Sequence, residues 1–252
     1  MARGSFGRIR NLQDFCGSFE DVTWASTSVD LGEGWYLISV NEGTLNKTLT
    51  TGTAIDEPNG ILEFLTDTGD NDNATLLSGP FRPVDGPMHV ETRFKIVDDL
   101  VAAIYTGFAE TMSQATPVMP AEFATATMTY NPGGQVGINY DDDGTVDDFR
   151  ACMGDGSAAV ASSGNGTRLS RGTWAIDQYA LTKVILGPDG SGHCFAAIQN
   201  ARELGASIAD YSQGLTTTDL FYAVLMCENR DASAHEFLVD YVYCEAGRNW
   251  NI

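Results

Sequence analysis

The run Met88–Ile96, MHVETRFKI, alternates without interruption: Met88, Val90, Thr92, Phe94 and Ile96 face one way, His89, Glu91, Arg93 and Lys95 the other. A period of two over that length fits a strand with one wet face and does not fit a helix. Shorter runs of the same kind recur in GWYLISV, GILEFLT, AAIYTGFAE, EFATATMTY, QVGINY, DFRACM, YALTKVIL, HCFAAIQN, LFYAVLMCEN and HEFLVDYVYCEA. Twenty-seven glycines and many Asp, Asn, Ser and Thr residues punctuate them. About ten or eleven strands joined by turns predict an all-β chain, an antiparallel two-sheet β-sandwich rather than a barrel. Only IQNARELGASIADYSQGL hints at helix, over no more than a turn.

No internal repeat and no linker divides the 252 residues, so residues 13–252 read as a single domain behind a short basic arm, 1–12. The arm, within MARGSFGRIR, carries Arg3, Arg8 and Arg10 ahead of the first acid, Asp14. It is either a disordered start with a chance cluster of arginines, or an arm that docks on an acidic partner or a neighbouring subunit. The body is acidic: 34 Asp and Glu against 14 Lys and Arg give a formal charge of -20, which repels nucleic acid and anionic membranes. The first thirty residues contain no apolar run of the signal-peptide type, and nothing approaches the roughly 20 apolar residues of a membrane span, so use without secretion is expected. Cys16, Cys152, Cys194, Cys227 and Cys244 are widely spaced and odd in number, reading as small buried hydrophobes rather than a disulfide framework or zinc site. Sequons at Asn46, Asn73 and Asn165 carry little weight without a secretory route.

The stretch NYDDDGTVDDF, Asn139–Phe149, packs five aspartates between Asp141 and Asp148. With Asp143-Gly144 at the centre of a two-residue turn, Ile138 faces Phe149 and Val136 faces Ala151, and the apolar pairs share one face. A second alignment puts Asn139, Asp141, Asp143 and Gly144 at positions 1, 3, 5 and 6 of a calcium-loop pattern, with Asp147 at position 9. Position 12 is Arg150, where such a loop needs a bidentate carboxylate. Both readings stand: a solvated hairpin tip, or a weakly bound calcium on Asn139, Asp141, Asp143 and Asp147. An arginine from a neighbouring copy is a third way to offset the repulsion. Two further turns, Pro188-Asp189-Gly190 and Asn131-Pro132-Gly133-Gly134, each separate a pair of expected strands, the first setting Val184–Leu186 against Cys194–Ile198.

No catalytic set is visible. His89, His193 and His235 stand in no constellation, and HExxH, GxSxG and phosphate-cradling glycine loops are absent. A sandwich glycosidase needs two carboxylates on one strand, about 5 Å apart for retention. Glu91 and Asp240 lack acidic same-face neighbours, while Glu228 and Asp231 read as solvated loop charges. A carbohydrate-binding module needs less, only aromatics and a few polar groups. Trp24, Trp35, Tyr105, Trp174, Tyr222 and Tyr243 are candidates, although their strand positions favour core packing. Trp250, in the tail GRNWNI, is the exception and suits an anchor on the body or on a neighbour.

The succession EDVTWAS, NATLLSGPFRPVDGPMHVETRFKI, VGINYDDDGTVDDFRACM, FAAIQNARELG and FLVDYVYCEAGR resembles tailed-bacteriophage virion proteins with a concanavalin-like jelly-roll domain, over roughly residues 13–248. The resemblance implies a jelly-roll sandwich and a non-enzymatic virion component, in the first place a capsid decoration or cement protein. Its partners would be the major capsid protein and its own copies, as a homotrimer, on the capsid surface, after synthesis in the host cytoplasm. Arg3, Arg8, Arg10 and Trp250 would then make the partner contacts, with no nucleic acid, no membrane and no cofactor beyond the weak calcium. The competing reading is a glycan-binding module of a tail, fibre or capsid surface.

Overall fold

Alternating residues become strands whose apolar halves meet between two antiparallel sheets. The computed structural model describes residues 8–13, 29–38, 61–66, 68–113, 117–144, 147–156, 158–159, 166–169, 174–198, 207–212 and 214–247. Its strands in chain order are β1 (Arg8–Gln13), β2 (Val29–Gly32), β3 (Trp35–Ile38), β4 (Leu62–Leu65), β5 (Asn73–Phe81), β6 (Met88–Ile96), β7 (Ala102–Ala109), β8 (Ala121–Ala124) and β9 (Thr127–Tyr130). There follow β10 (Gln135–Asp141), β11 (Arg150–Asp155), β12 (Ala158–Ala159), β13 (Thr167–Arg168), β14 (Ala180–Leu186), β15 (Gly192–Ile198), β16 (Ser207–Tyr211), β17 (Phe221–Asn229) and β18 (Glu236–Gly247). Among the described residues the only helical segment is a 3-10 turn at Pro83–Asp85, and no helix is long and apolar enough to cross a membrane.

A seven-stranded sheet runs β1-β18-β6-β14-β15-β16, with β4 also on β18; a nine-stranded sheet runs β12-β11-β10-β7-β17-β5-β3-β2, with β13 also on β11. On β6 every even-numbered residue is buried and every odd-numbered one half-buried, as the alternation requires. Between the sheets Trp174 packs on Phe94, Tyr140 and Phe149 with ring centroids 5.8, 5.0 and 5.1 Å apart. Each such side chain contributes about 1.5–3 kcal/mol by leaving water. The hydroxyl of Thr92 on β6 meets those of Thr182 on β14 at 2.7 Å and Thr106 on β7 at 3.2 Å. This ties one sheet to the other and leaves none of the three buried hydroxyls without a partner.

Several expectations change in detail. EFATATMTY is not one strand but the hairpin β8–β9, bent at Thr125 with φ 63°. Phe123 and Met128 of this hairpin form a second apolar cluster with residues of the nine-stranded sheet, among them Tyr105, Cys152 and Met226. Covered on both faces, β7 is buried at every position, which is why AAIYTGFA lacks clean alternation. The Asn131–Gly134 turn therefore joins β9 to a different sheet and does not close a hairpin. Within the helix-like stretch, Ser207–Tyr211 is extended as β16 and pairs with β15; residues 199–206 lie outside the described residues. The Pro188-Asp189-Gly190 turn does set Val184 against Cys194, and Ile198 pairs with Ala180.

The aspartate hairpin closes two residues away from the expected register. Ile138 faces Ala151, Val136 faces Met153 and Asn139 faces Arg150. A shift of two keeps every side chain on its face, so Val136, Ile138, Phe149 and Ala151 remain in the core. The last pair between β10 and β11 is Asn139–Arg150, while β10 continues along β7 as far as the pair Asp141–Ala103. Residues 8–12, expected to form part of an arm, lie in β1, paired with β18 from Arg8–Gly247 to Gln13–Val242.

Candidate functional site

At one end of the nine-stranded sheet, β10 ends at Asp141 and β17 ends at Asn229, one residue before Arg230. Buried Asn229 organises the loops there: its side-chain nitrogen donates to the Ser233 carbonyl at 2.9 Å and the Gly69 carbonyl at 3.4 Å, and its backbone N–H to Asp72 at 3.0 Å. The turn carrying Asn71, at φ 67°, is thereby held beside Arg230.

The Arg230 side chain is 3% exposed. Its Nε donates to Asp141 Oδ1 at 2.9 Å and its Nη2 to Asp141 Oδ2 at 2.8 Å, the paired geometry that fits a guanidinium to a carboxylate. Nη1 reaches Glu228 Oε1 at 2.8 Å and Asn71 Oδ1 at 3.1 Å, and Nη2 also reaches Glu122 Oε2 on β8 at 3.2 Å. Asp141 further accepts the backbone N–H groups of Phe123 at 2.7 Å and Asp143 at 3.2 Å. Burial opposes the charged guanidinium, but the hydrogen bond and charge of Asp141, with Glu228 and Glu122, outweigh it and tighten its proton. Burial pushes the Glu228 carboxyl up to about 8, with Arg230 opposing and Glu122, Asp141 and Asp70 reinforcing. Asp142 is raised as well, by burial and then by Asp147, Asp143, Asp141 and Asp99.

No protein-family model matches the chain, and no curated protein is similar to it in sequence. Solved structures do match in shape. A protein of unknown function, SO2946 from Shewanella oneidensis MR-1, has TM-score 0.53 at 11% identity, over 100% of this chain and 93% of its own. The carbohydrate recognition domain of Emp46p, in a potassium-bound form, has TM-score 0.53 at 14% identity, over 86% and 90%. The exoplasmic/lumenal domain of VIP36, in a form bound to Ca2+ and Man3GlcNAc, has TM-score 0.52 at 11% identity, over 88% and 90%. The fold is that of the lectin-like jelly rolls.

In this lectin-like jelly roll the four residues of the calcium pattern are not assembled as a calcium shell. Asp141 is fully engaged by Arg230 and two backbone donors, while Asp143 is exposed and 3.8 Å from Arg230 Nε. Asn139 gives its amide N–H to the Ala121 carbonyl at 2.8 Å, and Asp147 is exposed. Among the described residues no group of three or more His, Cys, Asp or Glu side chains is placed to hold a metal ion. The set does not fit calcium while Arg230 is in place.

Glu228 is no loop charge: it sits near the end of β17, buried, because Arg230 receives it. His235 is buried too, its Nε2 2.9 Å from Asp231. Arg8 and Arg10 both bind Glu245 on β18, Arg10 at 2.9 Å. Glu245, although its burial works the other way, is held below the usual carboxylate range by bonds from Tyr243 and Arg8. Arg3, Trp24 and Trp250 lie outside the described residues. Trp35, Tyr105 and Trp174 are core residues, whereas Tyr222 and Tyr243 are half-buried. Cys152, Cys194, Cys227 and Cys244 are buried and free, and burial pushes the Cys152 thiol up to about 12. Sequence reasoning missed Arg230, Asn71 and Glu122. The one available signal was an arginine directly after a strand in a chain so short of basic residues.

Proposed function

We propose that this chain is a non-enzymatic carbohydrate-binding module whose glycan sits on the rim around Arg230. The observation that carries this is a fixed, oxygen-rich polar surface, with Asn71 and Asp143 exposed and Glu122 half-buried above Arg230, on a fold shared with carbohydrate recognition domains. Sugars are bound by convergent polar groups held in place before the ligand arrives, and Arg230 holds Asn71 and Glu122 in that way. Tryptophan stacking is not part of the described rim, since Trp35 and Trp174 are core residues.

Hydrolysis is not supported here. Both oxygens of Asp141 are bound to Arg230, so Asp141 and Glu228 do not form a free acid and base. The expected role as a cement on a phage shell has less behind it, because Arg8 and Arg10, two of its three arm arginines, bind Glu245 of the same chain.

A glycan array probed with the purified chain tests the proposal. Binding is expected, and Asn71→Ala and Asp143→Ala should each weaken it by about tenfold, the worth of one good hydrogen bond. Retention of no glycan, or unchanged binding by both variants, would sink it.

A further inference from the structure

We infer that Arg230 is the resident cation of the acidic end, making that end of the sandwich independent of metal ions. A guanidinium has five N–H donors, and five oxygens surround this one at hydrogen-bond distance: two from Asp141 and one each from Glu122, Glu228 and Asn71. Three carboxylates, one used through both oxygens, and an amide oxygen are the ligand types a hard divalent cation takes. Calcium, however, gathers oxygens at about 2.3–2.6 Å around a point. Here they are spread around the edge of a planar ion, 2.8 to 3.2 Å from three different nitrogens.

One residue of the sequence pattern stands outside this arrangement. Asn139, the first residue of the calcium-loop pattern, is fully buried and its amide oxygen has no donor. Arg230 thus satisfies Asp141 and not the whole pattern. The carboxylates of Glu122 and Asp141 alone exceed the single positive charge of Arg230, so removing Arg230 leaves an anionic cage able to recruit a divalent ion.

The test is calcium titration of the whole chain, read by calorimetry and by thermal unfolding, with EDTA as the opposite arm. Wild type should give no binding heat, and neither calcium nor EDTA should shift its Tm. Arg230→Gln should unfold at lower temperature and recover part of the loss with calcium, at a Kd of about 10⁻⁴–10⁻³ M; adding Asp141→Asn should abolish the recovery. Calcium binding to wild type, a fall in its Tm with EDTA, or an Arg230→Gln variant indifferent to calcium each overturn the proposal. Should Arg230→Gln fail to fold, Arg230→Lys enters the same titration: it keeps a positive charge and should refuse calcium, and binding by it overturns the proposal. None of these readouts involves a glycan, so a silent glycan array leaves Arg230 as the cation, while a calcium response removes Arg230 and leaves glycan binding open.

Discussion

Replacing Glu228 by glutamine separates two forces that act on the same carboxylate. Glu228 lies 2.8 Å from Arg230, which favours its charge, but its side chain is 5% exposed among further acids, which disfavours it. Burial wins, and the group moves from 4.5 to about 8 in the fold. An acid whose folded value is raised contributes stability that is full below the unfolded value and is lost as pH rises through the folded one. Wild type should therefore weaken from about pH 4.5 to above about pH 8 through this group alone. At about 1.4 kcal/mol per unit, the shift is worth about 4–5 kcal/mol at full ionisation. In a chain of this size that is about 8–20 °C of Tm. Glutamine keeps the shape and an oxygen for Arg230 without the charge. Thermal unfolding followed by circular dichroism should find Glu228→Gln within about 1 kcal/mol of wild type near pH 5 and clearly more stable near pH 9. A variant that instead loses ground to wild type as pH rises would refute the reasoning, because the ion pair would then outweigh the burial.

Arg230→Gln should cost about 3–5 kcal/mol at neutral pH, the usual result of stranding buried carboxylates, and chemical denaturation measures it; a loss under about 1 kcal/mol would mean that water screens the cluster. Trp174→Ala should cost about 3–5 kcal/mol by opening a cavity against Phe94, Tyr140 and Phe149, read from the same denaturation midpoints. Gly137→Ala should cost about 1–3 kcal/mol, since an added methyl would lie 2.4 Å from the Tyr105 ring. Glu245→Gln should change stability by less than about 1 kcal/mol, because Arg8 and Arg10 are about half exposed; a larger loss would show that β1 depends on this contact.

The strands and their faces were legible in the sequence because the period of two is a property of the backbone at each residue. Met88–Ile96 is a strand with the expected buried set, and the aspartate hairpin kept its core face although its register moved by two. For the same reason the split of EFATATMTY into β8 and β9 was not legible: the bend at Thr125 carries no glycine or proline to announce it. The double burial of β7 depends on that hairpin folding over the sheet, a contact no local pattern encodes. The candidate site was half legible. The density of aspartates from Asp141 onward called for a positive charge, and the chain's composition made that charge scarce. Which cation answers was decided by the tertiary structure alone. Asp141 is 89 residues from Arg230, Glu122 is 108 and Asn71 is 159, and a charge pair at such separations leaves no trace in the sequence, since Coulomb attraction depends on distance in space and on exclusion of water.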